Sequence, residues 1–330
     1  MKEILTHLFD HKKLSREEAR EILVNIANNK YNEAQISAFV TVYLMRSISV
    51  EELLGFRDAL LELCRSVDLG QQETVDIVGT GGDGKNTFNI STLSSFVVAG
   101  AGYKVTKHGN YGVSSACGSS NVLESLGYQF TNEEDVLKRQ LEEANICFFH
   151  APLFHPAMKT VAPIRRQLRV KTFFNMLGPL VNPCKPKYNL LGVFNLGLSR
   201  IYEYILQQTE RQFAIVYAMD GYDEVSLTGS FKLRTNRGEQ ILSPEDLGKK
   251  RYRQEDLFGG DTVEEAATIF QNVLRNECTQ AQFDVVSSNA GLAIHCIKPE
   301  QSLEDCIAEA GESLKSRKAL TVLETLLSSQ

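Results

Sequence analysis

GTGGDGKNTFNIST, residues 79–92, decides how the rest of this chain is read. It follows Thr74-Val75-Asp76-Ile77-Val78, an apolar β-branched run that predicts a buried strand. It precedes residues 93–101, which predict the first turns of a packed helix. Glycines at 79, 81, 82 and 84 let the backbone come within hydrogen-bonding reach of an anion. Asn89, Ser91 and Thr92 stand where the helix begins, beside unpaired N–H groups and the positive end of its dipole. Strand, glycine loop and hydroxyl-rich helix start together predict an anion cradle in an α/β fold.

A nucleotide-binding P-loop competes for the same stretch. Gly79, Gly84 and Lys85 fit its spacing, but Asn86 stands where Ser or Thr must ligate magnesium. Asp83 is awkward there too, because a carboxylate about 4 Å from a phosphate is repelled by roughly 4 kcal/mol at an effective dielectric near 20. Asp83 is therefore expected to turn toward a hydroxyl, a backbone N–H or a metal-bound water. A sugar phosphate supplies such hydroxyls.

Outward from the loop the pattern alternates. Strands are expected over 74–78, 103–107, 146–149, 190–194, 213–217 and 231–235. Helices are expected over 90–101, 121–126, 133–144, 155–166, 200–208, 263–274, 280–295 and 303–327. Such alternation predicts a mostly parallel sheet covered by helices. The first 70 residues differ. Ser15-Arg16-Glu17-Glu18, Asn32-Glu33-Ala34-Gln35 and Ser49-Val50-Glu51-Glu52 each carry a helix-start signature ahead of apolar residues at helical spacing. They predict a smaller all-helical unit of about four helices. The third is apolar over much of its circumference, through packing inside the unit or a subunit interface.

Ligands of open α/β sheets gather at the carboxyl ends of strands, and three further polar clusters fall there. The first is KHGNYGVSSACGSS, residues 107–120, with Lys107, His108 and several serines around Gly109 and Gly112, which suits a phosphate ester or diphosphate. The second, HAPLFHPAMKTVAPIRRQL, residues 150–168, puts Arg165 and Arg166 on a helix whose apolar face is Met158, Val161 and Ile164. One of these arginines can turn inward to meet a carboxylate, or remain solvated. The third is AMDGYDEVSLTG, residues 218–229, where Asp220, Asp223 and Glu224 suit either Mg²⁺ or a plain acidic turn. A last segment, TFFNMLGPLVNP, residues 172–183, reads as a crossing or hinge.

Composition narrows the classes. A net charge of −6 argues against nucleic acid or an anionic membrane as partner. No apolar run reaches the roughly 20 residues that span a bilayer, and Met1-Lys2-Glu3 opens no leader, so a cytoplasmic protein is expected. The seven cysteines are scattered and odd in number, which reads as reduced thiols.

Taken in order, these five motifs and the helical start resemble the anthranilate phosphoribosyltransferases essentially end to end. The resemblance implies a helical dimerisation domain over 1–72 plus a returning segment at about 170–186, with an α/β domain over 73–169 and 187–330. It implies transfer of the phosphoribosyl group of 5-phosphoribosyl 1-diphosphate (PRPP) to the amine of anthranilate, with Mg²⁺, in a homodimer. By motif, Gly79, Gly82, Asp83, Thr87, Asn89, Ile90, Ser91, Thr92, Lys107, His108, Gly109, Ser114, Ser115 and Ser119 would contact PRPP. Asn110 and Arg165 would hold anthranilate, Ser91, Asp223 and Glu224 the metal, and Lys107, Asp83 and Arg165 would serve catalysis. The chain departs from the family pattern at Tyr111, Gly112, Cys117 and Asn121, beside the implied anthranilate entrance. Two relatives of the fold remain as alternatives. A pyrimidine-nucleoside phosphorylase usually carries a further C-terminal domain, and a non-catalytic nucleic-acid-binding relative should be basic with eroded motifs.

Overall fold

The computed structural model describes residues 1–112 and 117–330. The chain opens with α1 (Lys2–Phe9), α2 (Arg16–Ala27), α3 (Glu33–Met45) and α4 (Val50–Glu62). It continues through β1 (Val75–Gly79), α5 (Ile90–Gly100), β2 (Val105–Gly109), α6 (Ser119–Ser125), α7 (Glu134–Glu143) and β3 (Ile146–His150). Next come α8 (Ala151–Phe154), α9 (Ala157–Leu168), β4 (Tyr188–Gly192), α10 (Leu196–Leu206) and β5 (Gln212–Ala218). The last elements are β6 (Phe231–Thr235), β7 (Gly238–Leu242), α11 (Val263–Leu274), α12 (Gln280–Ile297), α13 (Leu303–Lys315) and α14 (Lys318–Ser328). They form two compact units, Met1–Val67 with Ala151–Lys185, and Asp68–His150 with Pro186–Gln330.

In the helical unit, Ser15, Asn32 and Ser49 each cap a helix reciprocally with Glu18, Gln35 and Glu52. Glu52 does more than cap. Fully buried, it accepts from the N–H groups of Leu14 at 3.1 Å and Ser49 at 2.9 Å, and pairs with the Arg46 guanidinium. The apolar excess of α3 has a local use. Phe39 and Tyr43 meet Phe56 edge-on, and Phe173 of the returning segment stacks on Phe56 at 4.5 Å. Leu44 and Met45 remain exposed. The returning segment is longer than expected. It starts at Ala151, because α9 buries Val161 and Ile164 and packs on α2 and α3. Residues 151–169 therefore belong to the helical unit and not to the α/β one.

The α/β unit is built on a seven-stranded sheet in the order β3-β2-β1-β4-β5-β6-β7. β1 to β5 run parallel, and β6 and β7 add an antiparallel edge. Runs such as Phe213-Ala214-Ile215-Val216 are apolar at consecutive positions because helices cover both faces of a parallel sheet. β7 was not expected. Its residues are mostly exposed, and Glu239 pairs with Lys232 and Arg234 of β6, so it carries no apolar signal. The helix expected over 303–327 is broken at Arg317, which takes a left-handed φ of 59°. The break lets α13 and α14 both approach α5 closely: a Cβ on Gly100 would lie 2.4 Å from Ser313 Oγ and 2.7 Å from the Ala319 nitrogen. Among the described residues no helix is long and apolar enough to cross a membrane. All seven cysteines are free.

Candidate active site

The strand order turns back between β1 and β4, the point at which open α/β sheets leave a crevice beyond their carboxyl ends. Both strands end in glycine there, paired in register, Gly79 with Gly192. The reason is Asp223. A Cβ on Gly79 would lie 2.3 Å from Asp223 Oδ2, and one on Gly192 only 1.5 Å from the Asp223 carbonyl oxygen. A tight turn at Gly221, closed by the Ala218 and Tyr222 backbones, folds the chain leaving β5 back over these strand ends. Gly192→Ala should therefore displace Asp223 and lower any activity of this crevice by about 10²-fold. Circular dichroism should report an intact fold, and near-normal activity would refute this account of the glycine.

The glycine loop is held from two sides. Gly81, Gly82 and Gly84 all take positive φ, which other residues rarely adopt. The Gly81 N–H donates to Asp223 Oδ2 at 2.6 Å, and Thr87 Oγ1 donates to Glu224 Oε1 at 2.9 Å. On the outer side Asn86 and Phe88 bond to Gly260, Gly259 and Leu257, a clamp that the sequence did not reveal. Asp83 turns to the Lys85 N–H at 3.0 Å. Beyond Thr87 lies a cavity of about 550 Å³ lined by Lys85, Tyr222 and Phe258 among others. At the start of α5, Asn89 makes no side-chain cap; its amide donates to the Cys117 carbonyl at 3.2 Å. Ile90 and Thr92 are buried behind it, and Ser91 lines the same small cavity as Gly79, Asp223 and Glu224.

Negative charge is concentrated in this cluster. Asp223 and Glu224 are half-buried. Burial, then the nearby Asp83 charge, lift Asp223 to about 6. Burial and the charges of Asp223 and Asp83 raise Glu224 well above its ordinary value. Lys107 is the buried counter-charge. Its Nζ donates to the Ile77 carbonyl at 2.7 Å, and burial lowers its pKa against the pull of Asp76, Glu224 and Asp223. The donors facing the cavity are oxygens, from two carboxylates and a serine. Among the described residues no group of three or more His, Cys, Asp or Glu could hold a metal alone. Two carboxylates and a hydroxyl suit an ion that keeps waters and shares substrate oxygens, the habit of Mg²⁺. Asp220, expected with them, turns instead to the Thr228 hydroxyl.

In the second loop His108 is buried, and its N–H donates to Asp76 Oδ1 at 3.1 Å. Gly109 passes close to Ser119, and Asn110 is exposed, its carbonyl accepting from Ser119 Oγ and Ser120 N, each at 3.2 Å. Ser114 and Ser115 lie outside the described residues. Two of the departures noted above, Gly112 and Asn121, bond to each other. Asn121 Oδ1 accepts from Gly112 and Gly118, while the Tyr111 hydroxyl donates to Glu124 at 2.8 Å. Arg165 belongs to the helical unit. There it lies 5.6 Å over the Phe174 ring and donates to Asn175 Oδ1 at 3.4 Å, while Arg166 is exposed. Phe174 and Asn175, in the segment read as a mere crossing, thus orient it.

Residues 71–320 match the model described as glycosyl transferase family, a/b domain, and residues 2–64 the one described as glycosyl transferase family, helical bundle domain. The anthranilate phosphoribosyltransferase of Cytophaga hutchinsonii is 59% identical over 319 residues, 97% of either chain. This chain belongs to the anthranilate phosphoribosyltransferase family. The family member from Bacteroides thetaiotaomicron is 56% identical over 99% of this chain and 98% of its own. Among solved structures, the Thermus thermophilus anthranilate phosphoribosyltransferase superposes with a TM-score of 0.90 at 32% identity, covering 98% of both chains. The Saccharomyces cerevisiae enzyme in complex with PRPP and Mg gives 0.91 at 27% identity, over 98% of this chain and 96% of that one.

Proposed function

We propose that this chain transfers the phosphoribosyl group of PRPP to the amine of anthranilate, releasing diphosphate, within tryptophan biosynthesis. The observation that carries the reading is one crevice at the β1–β4 switch point. It combines a positive-φ glycine loop, a helix start with no side-chain cap, and two carboxylates bonded to that loop.

The arylamine is neutral near pH 7 and needs no strong base. The barrier lies in the departure of diphosphate and the positive charge that builds on the ribose. Ser91, Asp223 and Glu224 would hold Mg²⁺, which when bound would neutralise charge on the leaving diphosphate. Gly79, Gly82 and Thr87 position the diphosphate from the loop, Asp83 takes the hydroxyls of the sugar, and Asn89, Ile90, Ser91 and Thr92 act from the start of α5. Lys107, fixed beneath the sheet end on Ile77, sets a positive potential under that charge. Lys107, His108, Gly109 and Ser119 are proposed around the rest of PRPP. Asn110 and Arg165 are proposed for anthranilate, with the Arg165 guanidinium taking its carboxylate. As C1′ breaks from diphosphate oxygen and bonds to nitrogen, the amine loses a proton to solvent. Incubation with PRPP, Mg²⁺ and anthranilate should deplete anthranilate fluorescence and release diphosphate one for one. Diphosphate release without anthranilate loss would mean hydrolysis and defeat the reading.

The α/β unit is proposed as the PRPP-binding domain of a cytoplasmic enzyme, and the helical unit as the dimerisation domain. Phe9, Leu44 and Met45 are exposed on that unit, the last 83% accessible, and burial between subunits would remove their apolar area from water. Met45→Glu should shift sedimentation from dimer toward monomer, and a wild-type monomer would end the dimer proposal.

A further inference from the structure

We propose that Asn289 is the positioning residue of the Asp223–Glu224 pair and sets how tightly that pair holds magnesium. The inference rests on the assignment of those two carboxylates to the metal. Asn289 lies in α12, 4% exposed, among Val285, Val286, Ala290 and Ala293. A buried amide costs stability unless it is bonded, so its bonds indicate its use. Val225 N donates to Asn289 Oδ1 at 3.0 Å, and Asn289 Nδ2 donates back to the Val225 carbonyl at 2.8 Å. The remaining Nδ2 proton goes to the Val285 carbonyl, one turn earlier, at 2.9 Å. Both protons of the amide are committed.

This is a two-point clasp on the residue directly after Glu224. Asp223 and Glu224 sit outside any strand, so no sheet ladder fixes them. Their segment is tied at one end by the Ala218–Tyr222 turn and at the other by the Asn289 clasp. Asn289 also lines the small cavity that Ser91, Asp223 and Glu224 share. Its influence runs through the Val225 backbone, as that of an outer-shell group on a metal site does.

The test is a Mn²⁺ titration in the presence of diphosphate, read by electron paramagnetic resonance, on the full-length protein. Asn289→Ala is expected to weaken Mn²⁺ binding about 10- to 100-fold. It should raise the Mg²⁺ concentration for half-maximal turnover by the same factor and leave the KM for anthranilate unchanged, with kcat recovering at saturating Mg²⁺. Asn289→Ser carries the same expectation if the alanine variant does not fold. Ser313→Ala loses another buried hydrogen bond, to Val97 in the core, and should leave Mn²⁺ affinity at the wild-type value. A lowered melting temperature with unchanged Mn²⁺ affinity would show that Asn289 is structural only, and would overturn the proposal. Wild-type Mn²⁺ binding that survives Asp223→Asn would instead remove the metal assignment, and this inference with it.

Discussion

Asp223→Asn should slow phosphoribosyl transfer by about 10²–10³-fold, equivalent to roughly 3–4 kcal/mol of transition-state stabilisation. It should also raise the Mg²⁺ concentration needed for half-maximal rate. The substitution isolates charge from shape. Asn retains an oxygen for the Gly81 N–H and matches the volume left by Gly79 and Gly192, so the loop keeps its anchor. What disappears is the negative charge whose repulsion with Glu224 and Asp83 a divalent cation would relieve. Steady-state rates across a Mg²⁺ series check this. Kinetics that do not change with the substitution at any Mg²⁺ concentration would contradict the metal assignment.

Glu52→Ala should destabilise the helical unit by about 3–5 kcal/mol, because it strands a largely buried Arg46 without its partner. It also removes the acceptor of two backbone N–H groups, those of Leu14 and Ser49. Burial alone would raise the Glu52 pKa. The Arg46 guanidinium and the N–H groups of Ser49 and Leu14 outweigh that and hold it below the ordinary 4.5. A carboxylate so depressed contributes stability above its ordinary pKa and loses it as pH falls through the folded one. The stability gap between wild type and Glu52→Gln in urea denaturation should thus shrink on acidification below about pH 4.5. A gap that stays constant with pH would show that the ion pair contributes little.

Much of this was legible because local chemistry repeats in the sequence. Apolar and β-branched runs mark most of the parallel strands, and the three capping boxes mark helix starts. The glycine loop stands out through its density of small and hydroxyl residues. What stayed hidden depends on partners far away in sequence. Gly192 falls mid-way along the strand expected over 190–194 and looks ordinary until β4 is seen to end there with Asp223 lying across it. Asn289 looks like a flaw in an apolar helix until its amide is seen on Val225. The apolar face of α9 was readable from Val161 and Ile164, but its spacing does not say which unit it covers. Lys107 was expected at a phosphate. As a buried cation it must satisfy its protons locally, and it does so on a β1 carbonyl.

The split construction of the helical unit bears on how the molecule is made. When α1 to α4 have left the ribosome, Phe39, Tyr43 and Phe56 form an aromatic face that still lacks Phe173. More than a hundred residues, among them the whole of 68–150 from the α/β unit, must be translated before that ring arrives. Nascent chains therefore carry an uncovered greasy surface for several seconds at usual elongation rates of about 5–20 residues per second. An apolar face left open in this way makes a growing chain more prone to self-association than the completed fold.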